Sequence, residues 1–372
     1  MAVSRARKDT LRTAVAVVVA VAAVAAAGVA LTRTTPDAPT ADAPTDDASV
    51  TDWAEYSEVE SATTTEASSG PAHTPEWATD ASAAYGRDFA ALRAPSAGLL
   101  FDSSSYGVVD GGDVLITAVG LPNPRTYSFD SPKLLGIDAG DGTVRWSASP
   151  GGVDTCASRL TRGELVCLDS YADVPAIVAI DAQDGAMRRV PLPREWFTYG
   201  IESDGESVFI LEGNPEDGES VLHGGSVDAL AGAWSLPVTG FATWDGIEST
   251  LIHVHDDRGV ITLGSDVEFF DTVTGSAVDS LELRSQTTVL DTNSGTEVWK
   301  LEDPYAVEKT IGRTVYSQDG SSIIAADRET GDVFWAWSLP VDVDGFTASG
   351  TVVEAESGVY FVSSSSIVKL VE

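Results

Sequence analysis

Cations are scarce in this chain. Its 372 residues hold 22 Lys and Arg against 57 Asp and Glu, a formal net charge of -35. Arginine supplies most of the positive charge. That balance excludes nucleic acid as a ligand, because phosphates need Lys and Arg counterparts. It also excludes docking of the soluble part on anionic lipid. High acidity with few lysines is the mark of salt adaptation or of a well-solvated extracellular surface. Histidines number four and cysteines two. There is no G-x-S-x-G, so a Ser-His-Asp nucleophile has no support. Two lone cysteines supply too few ligands for a metal. No stretch after about residue 88 holds a long helical period, which excludes helical bundles and α/β folds.

The two cysteines, Cys156 and Cys167, bracket CASRLTRGELVC, with Leu160-Thr161-Arg162-Gly163 at its centre. On a hairpin they face each other across the strands, which permits a disulfide if the Cβ atoms approach closely. An oxidising compartment favours the bridge; a reducing one leaves two buried thiols.

The N-terminus indicates the compartment. Residues 1–12 form a basic tail with Arg5, Arg7, Lys8 and Arg12. Ala14 to Leu31 is an uninterrupted apolar run, so residues 13–32 are expected to span a bilayer as a signal-anchor helix. The basic flank places the N-terminus in the cytoplasm and the rest outside. The alternative is a signal peptide cleaved near AGVA at 27–30, which would release a secreted protein. No lipid-anchor cysteine is present there. Residues 33–87 are rich in Thr, Ala, Asp, Ser and Pro, with no Lys or Arg from Thr34 to Gly86. They are expected to form a disordered acidic linker, since they bury too little apolar surface to offset chain entropy.

From 88 to 372 the texture is short β-branched runs separated by Gly, Asp and Ser clusters. One phrase recurs: an apolar run, then Asp, then Gly four residues on. The pairs are Asp138 and Gly142, Asp181 and Gly185, Asp228 and Gly232, Asp271 and Gly275, Asp291 and Gly295, Asp327 and Gly331. Asp at the end of a strand can accept hydrogen bonds from amides two and three residues on. Gly supplies the positive φ the reversal needs. Trp146, Trp299 and Trp335 follow at a fixed offset and are expected to pack between neighbouring units, with Trp234 shifted earlier.

The steps between the aspartates are 43, 47, 43, 20 and 36 residues. Each long step suits a four-stranded propeller blade. The short step implies either one enlarged blade holding both Asp271 and Asp291, or a compressed blade. The expectation is an all-β propeller of six four-stranded blades, with seven as the alternative. Closure would come from residues 98–104, or from those just before them.

The strand, A-x-D-x-x-T-G, strand-with-Trp pattern resembles the pyrroloquinoline-quinone-like propeller repeat, most closely at IIAADRETGDVFWAW and LLGIDAGDGTVRW. The resemblance covers roughly residues 95 to 372. That superfamily includes quinoprotein alcohol dehydrogenases and BamB-type envelope lipoproteins. The dehydrogenases hold a quinone at the propeller axis with Ca²⁺ bound by Glu, Asn and Asp, a general-base Asp, a stacking Trp and often a disulfide of adjacent cysteines. This chain has no adjacent cysteines. Its asparagines, Asn123, Asn214 and Asn293, stand in turn-like contexts. Few basic residues are available for an anionic cofactor.

No catalytic residue and no cofactor are therefore expected. His253 and His255 share one strand face beside Asp256 and Asp257, but no third metal ligand can be placed, so no metal is expected either. The acidic clusters lack the alternating ligand spacing of a Ca²⁺ loop and read as turns. The functional expectation is a non-catalytic, membrane-anchored extracytoplasmic scaffold that meets an envelope protein or a peptide, touching the membrane only through its N-terminal helix. The alternatives are a degenerate quinone-dependent oxidoreductase and an extracellular ligand sensor.

Overall fold

In the second sheet the two central strands are continuous apolar runs and the outer strand alternates. Both patterns follow from where each strand lies. In a computed structural model of the chain, Glu164–Asp169 and Ala176–Asp181 are buried along nearly their whole length. Each is pressed between neighbouring sheets, so both faces need apolar side chains. The outer strand Met187–Pro191 alternates exposed and half-buried residues, because one of its faces meets water. The structure describes residues 70–97, 105–123, 125, 128–214, 216, 218–241, 250–263, 265–285, 287–301, 308–319, 321–340 and 348–371. All of them belong to the unit Thr65–Glu372. The expected basic tail, membrane helix and most of the linker lie outside the described residues; within them no helix is long and apolar enough to cross a membrane.

The described strands form seven small antiparallel sheets. The first sheet contains β2 (Ala91–Arg93), β3 (Val109–Asp110), β4 (Val114–Asn123), β5 (Ser128–Asp138) and β6 (Val144–Ala148), with β2 and β3 sharing one edge of β4. The second is β7 (Thr155–Cys156), β8 (Glu164–Asp169), β9 (Ala176–Asp181) and β10 (Met187–Pro191). The third is β11 (Thr198–Ser203), β12 (Val208–Asn214), β13 (Glu219–Gly225) and β14 (Trp234–Thr239). The fourth has three strands, β15 (Leu251–His255), β16 (Arg258–Leu263) and β17 (Asp266–Asp271). The fifth also has three, β18 (Leu281–Arg284), β19 (Thr288–Asp291) and β20 (Glu297–Lys300). The sixth is β21 (Glu308–Ile311), β22 (Thr314–Asp319), β23 (Ser322–Asp327) and β24 (Val333–Ser338). The seventh joins β25 (Gly350–Ala355), β26 (Gly358–Ser363) and β27 (Ser366–Val371) to the N-terminal strand β1 (Trp77–Asp80).

Buried clusters of described residues join six of the seven neighbouring pairs of sheets, including the return of the seventh sheet to the first. Separate buried clusters join the first sheet to the second, the second to the third and the third to the fourth. Others join the fourth to the fifth, the sixth to the seventh and the seventh back to the first. The last of these packs Leu115, Leu135 and Ile137 against Tyr360, Val362 and Ile367. Each such side chain contributes roughly 1.5–3 kcal/mol on burial. Consecutive sheets packed face to face, with the last returning to the first, make a β-propeller.

The count and the closure differ from the sequence expectation. Six blades were expected, with seven as the alternative, and the described residues form seven sheets, because Asp271 and Asp291 end strands of different sheets. The compressed blade is the branch the molecule takes. Closure comes neither from residues 98–104, which lie outside the described set, nor from those immediately before them. It comes from β1, antiparallel to β27 in the register Trp77↔Lys369 to Asp80↔Ser366. Residues 70–87, assigned to the linker from composition, are thus part of the propeller. Gly70 to His73 first lies along the outer edge of β24, with a parallel bridge Ala72↔Ala336 and a bond from the His73 amide to the Ala336 carbonyl. The chain then crosses to β27. Helix α1 (Ala81–Tyr85) follows, capped by the Asp80 carboxylate, which accepts from the Ala83 amide at 2.8 Å, and by Gly86 at φ 82°. It buries Ala81 and Tyr85 in the junction of the seventh and first sheets.

Candidate functional site

Five of the six Asp-Gly reversals share one geometry. Oδ1 of Asp138, Asp181, Asp271, Asp291 and Asp327 accepts from the amides two and three residues on. The amides of Gly142, Gly185, Gly275, Gly295 and Gly331 donate to the carbonyls of those aspartates, with φ between 69° and 75°. Arg145, and then the amides, hold Asp138 below the usual carboxylate range; the amide hydrogen bonds, with Arg258 and Arg313 at two of them, do the same for Asp271, Asp291 and Asp327. All five carboxylates are therefore committed to turns. Asp228 and Gly232 do not form this turn. They lie in a 3-10 segment, Val227–Gly232, and Asp228 pairs with Arg188. The strand before them ends at Gly225, so the reversal starts earlier and takes a wider path.

The tryptophans divide by what stands opposite them. Trp146 pairs with Gly136 and Trp234 with Gly224. With no side chain opposite, each indole lies flat over its partner glycine and reaches the turn of the next sheet. Trp146 donates Nε1–H to the Ala182 carbonyl at 2.9 Å, and Trp234 donates to that of Thr272 at 3.2 Å. A Cβ on Gly185 or Gly275 would sit 2.7 or 2.3 Å from those rings. Trp77 makes the same contact across the closing seam, to the Ala139 carbonyl at 3.2 Å and over Gly142. Trp299 stands opposite Val289 and packs back on the fourth sheet, edge-on to Phe269 and stacked with His255. Trp335 stands opposite Ala325 and stacks on His73 at 4.3 Å.

Cys156 and Cys167 form a disulfide between paired positions of β7 and β8. The hairpin turns at Arg162 and Gly163, both at positive φ (50° and 85°). His253 and His255 lie on β15. His255 is engaged by Trp299 and by Asp256 at 3.7 Å. Among the described residues no group of three or more His, Cys, Asp or Glu is placed to hold a metal ion.

Two buried carboxylates escaped sequence reasoning, because their stretches read as ordinary turns. Asp154 Oδ2 accepts from the Ser170 amide at 2.6 Å, while its buried Oδ1 has no partner. Burial, with Asp169 adding to it, pushes its pKa up to about 7. Glu202 Oε1 accepts from the amides of Ser158 and Ser203, yet burial pushes its pKa up to about 7 as well. Both values are raised in the folded state. Their contribution to stability is therefore full below the unfolded values of 3.8 and 4.5 and is lost as pH rises through about 7. The turn aspartates act in the opposite sense, losing their contribution as pH falls toward 4 and below. Maximum stability is expected near pH 4. Glu202→Gln, which keeps an acceptor for both amides, is expected to flatten the decline between pH 4.5 and about pH 7, followed as urea midpoints. An unchanged slope would reject the assignment.

The described sheets with three strands, the fourth and fifth, adjoin each other. Leu281 pairs with Asp291 as Arg258 pairs with Asp271 and Thr314 with Asp327. So β18 occupies the second-strand place, and the fifth sheet has no inner strand among the described residues. The outer strand of the fourth sheet is reduced to the bridge Phe270↔Ala277 and one bond from the Val278 amide to the Phe269 carbonyl. Residues 272–280 step directly from β17 to β18. A groove of about 320 Å³ results, lined by Val267, Glu268 and Phe269 on one side, Leu281, Glu282 and Leu283 on the other, and Val278 and Asp279 at one end. A second hollow of about 420 Å³, lined by Phe241, Ser265 and Asp266 among others, shares Val267 and Glu268 with it. Partial burial, and then the charge of Asp279, raises the Glu268 pKa.

The geometry defines the class: a seven-sheet β-propeller closed by its N-terminal strand. No protein-family model matches the chain. No curated protein matches it either. Solved structures similar to it include BamB from Moraxella catarrhalis, 15% identical over 71% of this chain and 84% of that one, TM-score 0.36. The N-terminal domain of Nup159 is 10% identical, over 82% of this chain and 100% of that one, TM-score 0.37. The β-propeller domain of the Trilobed protease from Pyrococcus furiosus is 7% identical, over 70% and 78%, TM-score 0.34. At such scores these likenesses carry no weight beside the strand pairing.

Proposed function

We propose that this chain is a non-catalytic, membrane-anchored propeller of the pyrroloquinoline-quinone-like type that meets another envelope protein or a peptide outside the cytoplasm. The observation that carries the interaction role is the groove between the fourth and fifth sheets. It is an open, partly apolar surface bordered by strand edges, with Val267, Leu281 and Leu283 half-buried beside the packed cluster of Phe269, Val289 and Trp299. The repeated Asp turn supports the repeat type, and the buried disulfide supports an oxidising compartment. The apolar run with its basic flank supports the anchor and its orientation.

Proximity labelling in the native cell tests this reading. A peroxidase fused after residue 372 is expected to label envelope proteins that a fusion of residues 1–69 alone does not label. Labelling confined to cytosolic proteins, or identical sets from the two fusions, would reject it.

A further inference from the structure

We infer that the groove between β17 and β18 is a docking site for an extended, basic peptide segment of another protein, held by strand addition. This rests on the interaction role proposed above and names the chemistry of the partner.

Three observations converge on it. The first is a skipped strand. Each of the other six sheets has a strand on the inner side of its second strand; the fifth has none among the described residues. The inner edge of β18 and the outer edge of residues 266–268 in β17 are both without a strand partner within that set. Edge backbone groups are donors and acceptors at strand spacing, and they add an extended chain by main-chain hydrogen bonds.

The second is the lining. Val267, Val278, Leu281 and Leu283 are half-buried on the cluster that includes Phe269, Val289 and Trp299. They offer apolar contact to alternate side chains of an added strand.

The third is charge. Glu268 and Asp279 stand close enough for the second to disfavour ionisation of the first, and no Lys or Arg pairs with either among the described residues. Glu282 is already met by Arg284 at 2.6 Å. Asp266 lines the adjoining hollow. A ligand that alternates Lys or Arg with apolar residues relieves this crowding and fills the apolar floor together. An acidic strand would do neither.

The experiment uses the whole extracytoplasmic part, residues 33–372, and a fluorescent probe peptide, acetyl-Thr-Lys-Val-Lys-Val-Lys-Thr-amide. Anisotropy is read at two salt concentrations, because a chain of net charge -35 attracts any cation weakly. The expected result is saturable binding, weakened about tenfold or more by Glu268→Gln with Asp279→Asn. The same peptide N-methylated at alternate amides is expected to lose binding, because methylation removes the strand-pairing donors. Hydrogen exchange is expected to slow at 266–268, the edge bordered by Glu268 and Asp279, when peptide is added.

Four results would overturn the proposal. They are no binding, equal binding of a Glu-for-Lys or an N-methylated peptide, indifference to the charge variants, and edges already protected in the isolated protein by its own chain or by a second copy. Glu268→Lys with Asp279→Lys, expressed in the native cell, separates the two readings. If the labelled envelope proteins survive that change, the interaction role stands and the groove loses its assignment.

Discussion

Trp146→Ala is expected to lower stability by about 3–5 kcal/mol, among the larger effects of any single truncation in this propeller. The indole is 8% exposed and holds the first sheet to the second. Its ring covers Gly136 on its own sheet and Gly185 on the next. Neither glycine has a side chain that can collapse into the space an alanine leaves. The cost is therefore transfer of the ring to water together with an unfilled cavity, and the Ala182 carbonyl loses its donor. Trp146→Phe keeps much of the ring and loses the hydrogen bond, so it is expected to fall between. Gly185→Ala approaches the same junction from the other side. It places a Cβ against the ring at a residue with φ of 73°, and it is expected to destabilise as well. Urea midpoints and slopes for the three variants provide the check. A loss under about 1 kcal/mol for Trp146→Ala would show that the indole does not hold this junction.

A chain that begins at residue 88 is expected not to fold, while one that begins at residue 70 folds fully. Residue 88 is where composition alone would start the domain. Starting there removes β1, α1 and the segment along β24. The edge of β27 is laid open, Gly142 loses Trp77, and Trp335 loses His73. Ala81 and Tyr85 leave the cluster at the ring's seam. Together these losses rival the whole stability of a typical domain, about 5–15 kcal/mol. Far-UV circular dichroism, gel filtration and thermal scans of the two chains decide it. Equal cooperative melting of both would show that the ring closes without its N-terminal strand.

The parts that were legible in the sequence are those where one residue does one local job. The Asp at a strand end and the Gly four residues later form a turn whatever surrounds them, so five of six such turns stand where the phrase places them. The cysteine pair was legible for the same reason, since the Arg162-Gly163 reversal sets the two positions opposite each other. At Asp228 the phrase matched by letters alone. The strand had already ended at Gly225, and Leu230 of the intervening 3-10 segment is buried in the second junction.

Closure was hidden by composition. β1 is four residues long and follows an acidic stretch without Lys or Arg, so its surroundings read as linker. Its caps were nonetheless present: Asp80 before ASAAY and Gly86 after it. The groove was hidden because a missing strand leaves no residues to recognise. Its trace was arithmetic, the 20-residue step from Asp271 to Asp291, too short to hold an outer and an inner strand together. The buried carboxylates left no trace, because burial of Asp154 and Glu202 is set by neighbouring sheets rather than by adjacent residues.

Residues 77–80 complete the sheet of the C-terminal strand. A cysteine pair placed in the observed register, Ala78→Cys with Val368→Cys, tests that closure. Mild oxidation followed by non-reducing peptide mapping is predicted to show the bridge between these positions in the monomer, beside the native Cys156–Cys167 bridge. The control pair Ala78→Cys with Ile367→Cys, one residue out of register and on the opposite face, is predicted to stay reduced. No bridge in the first pair, or equal bridging in both, would contradict the closure.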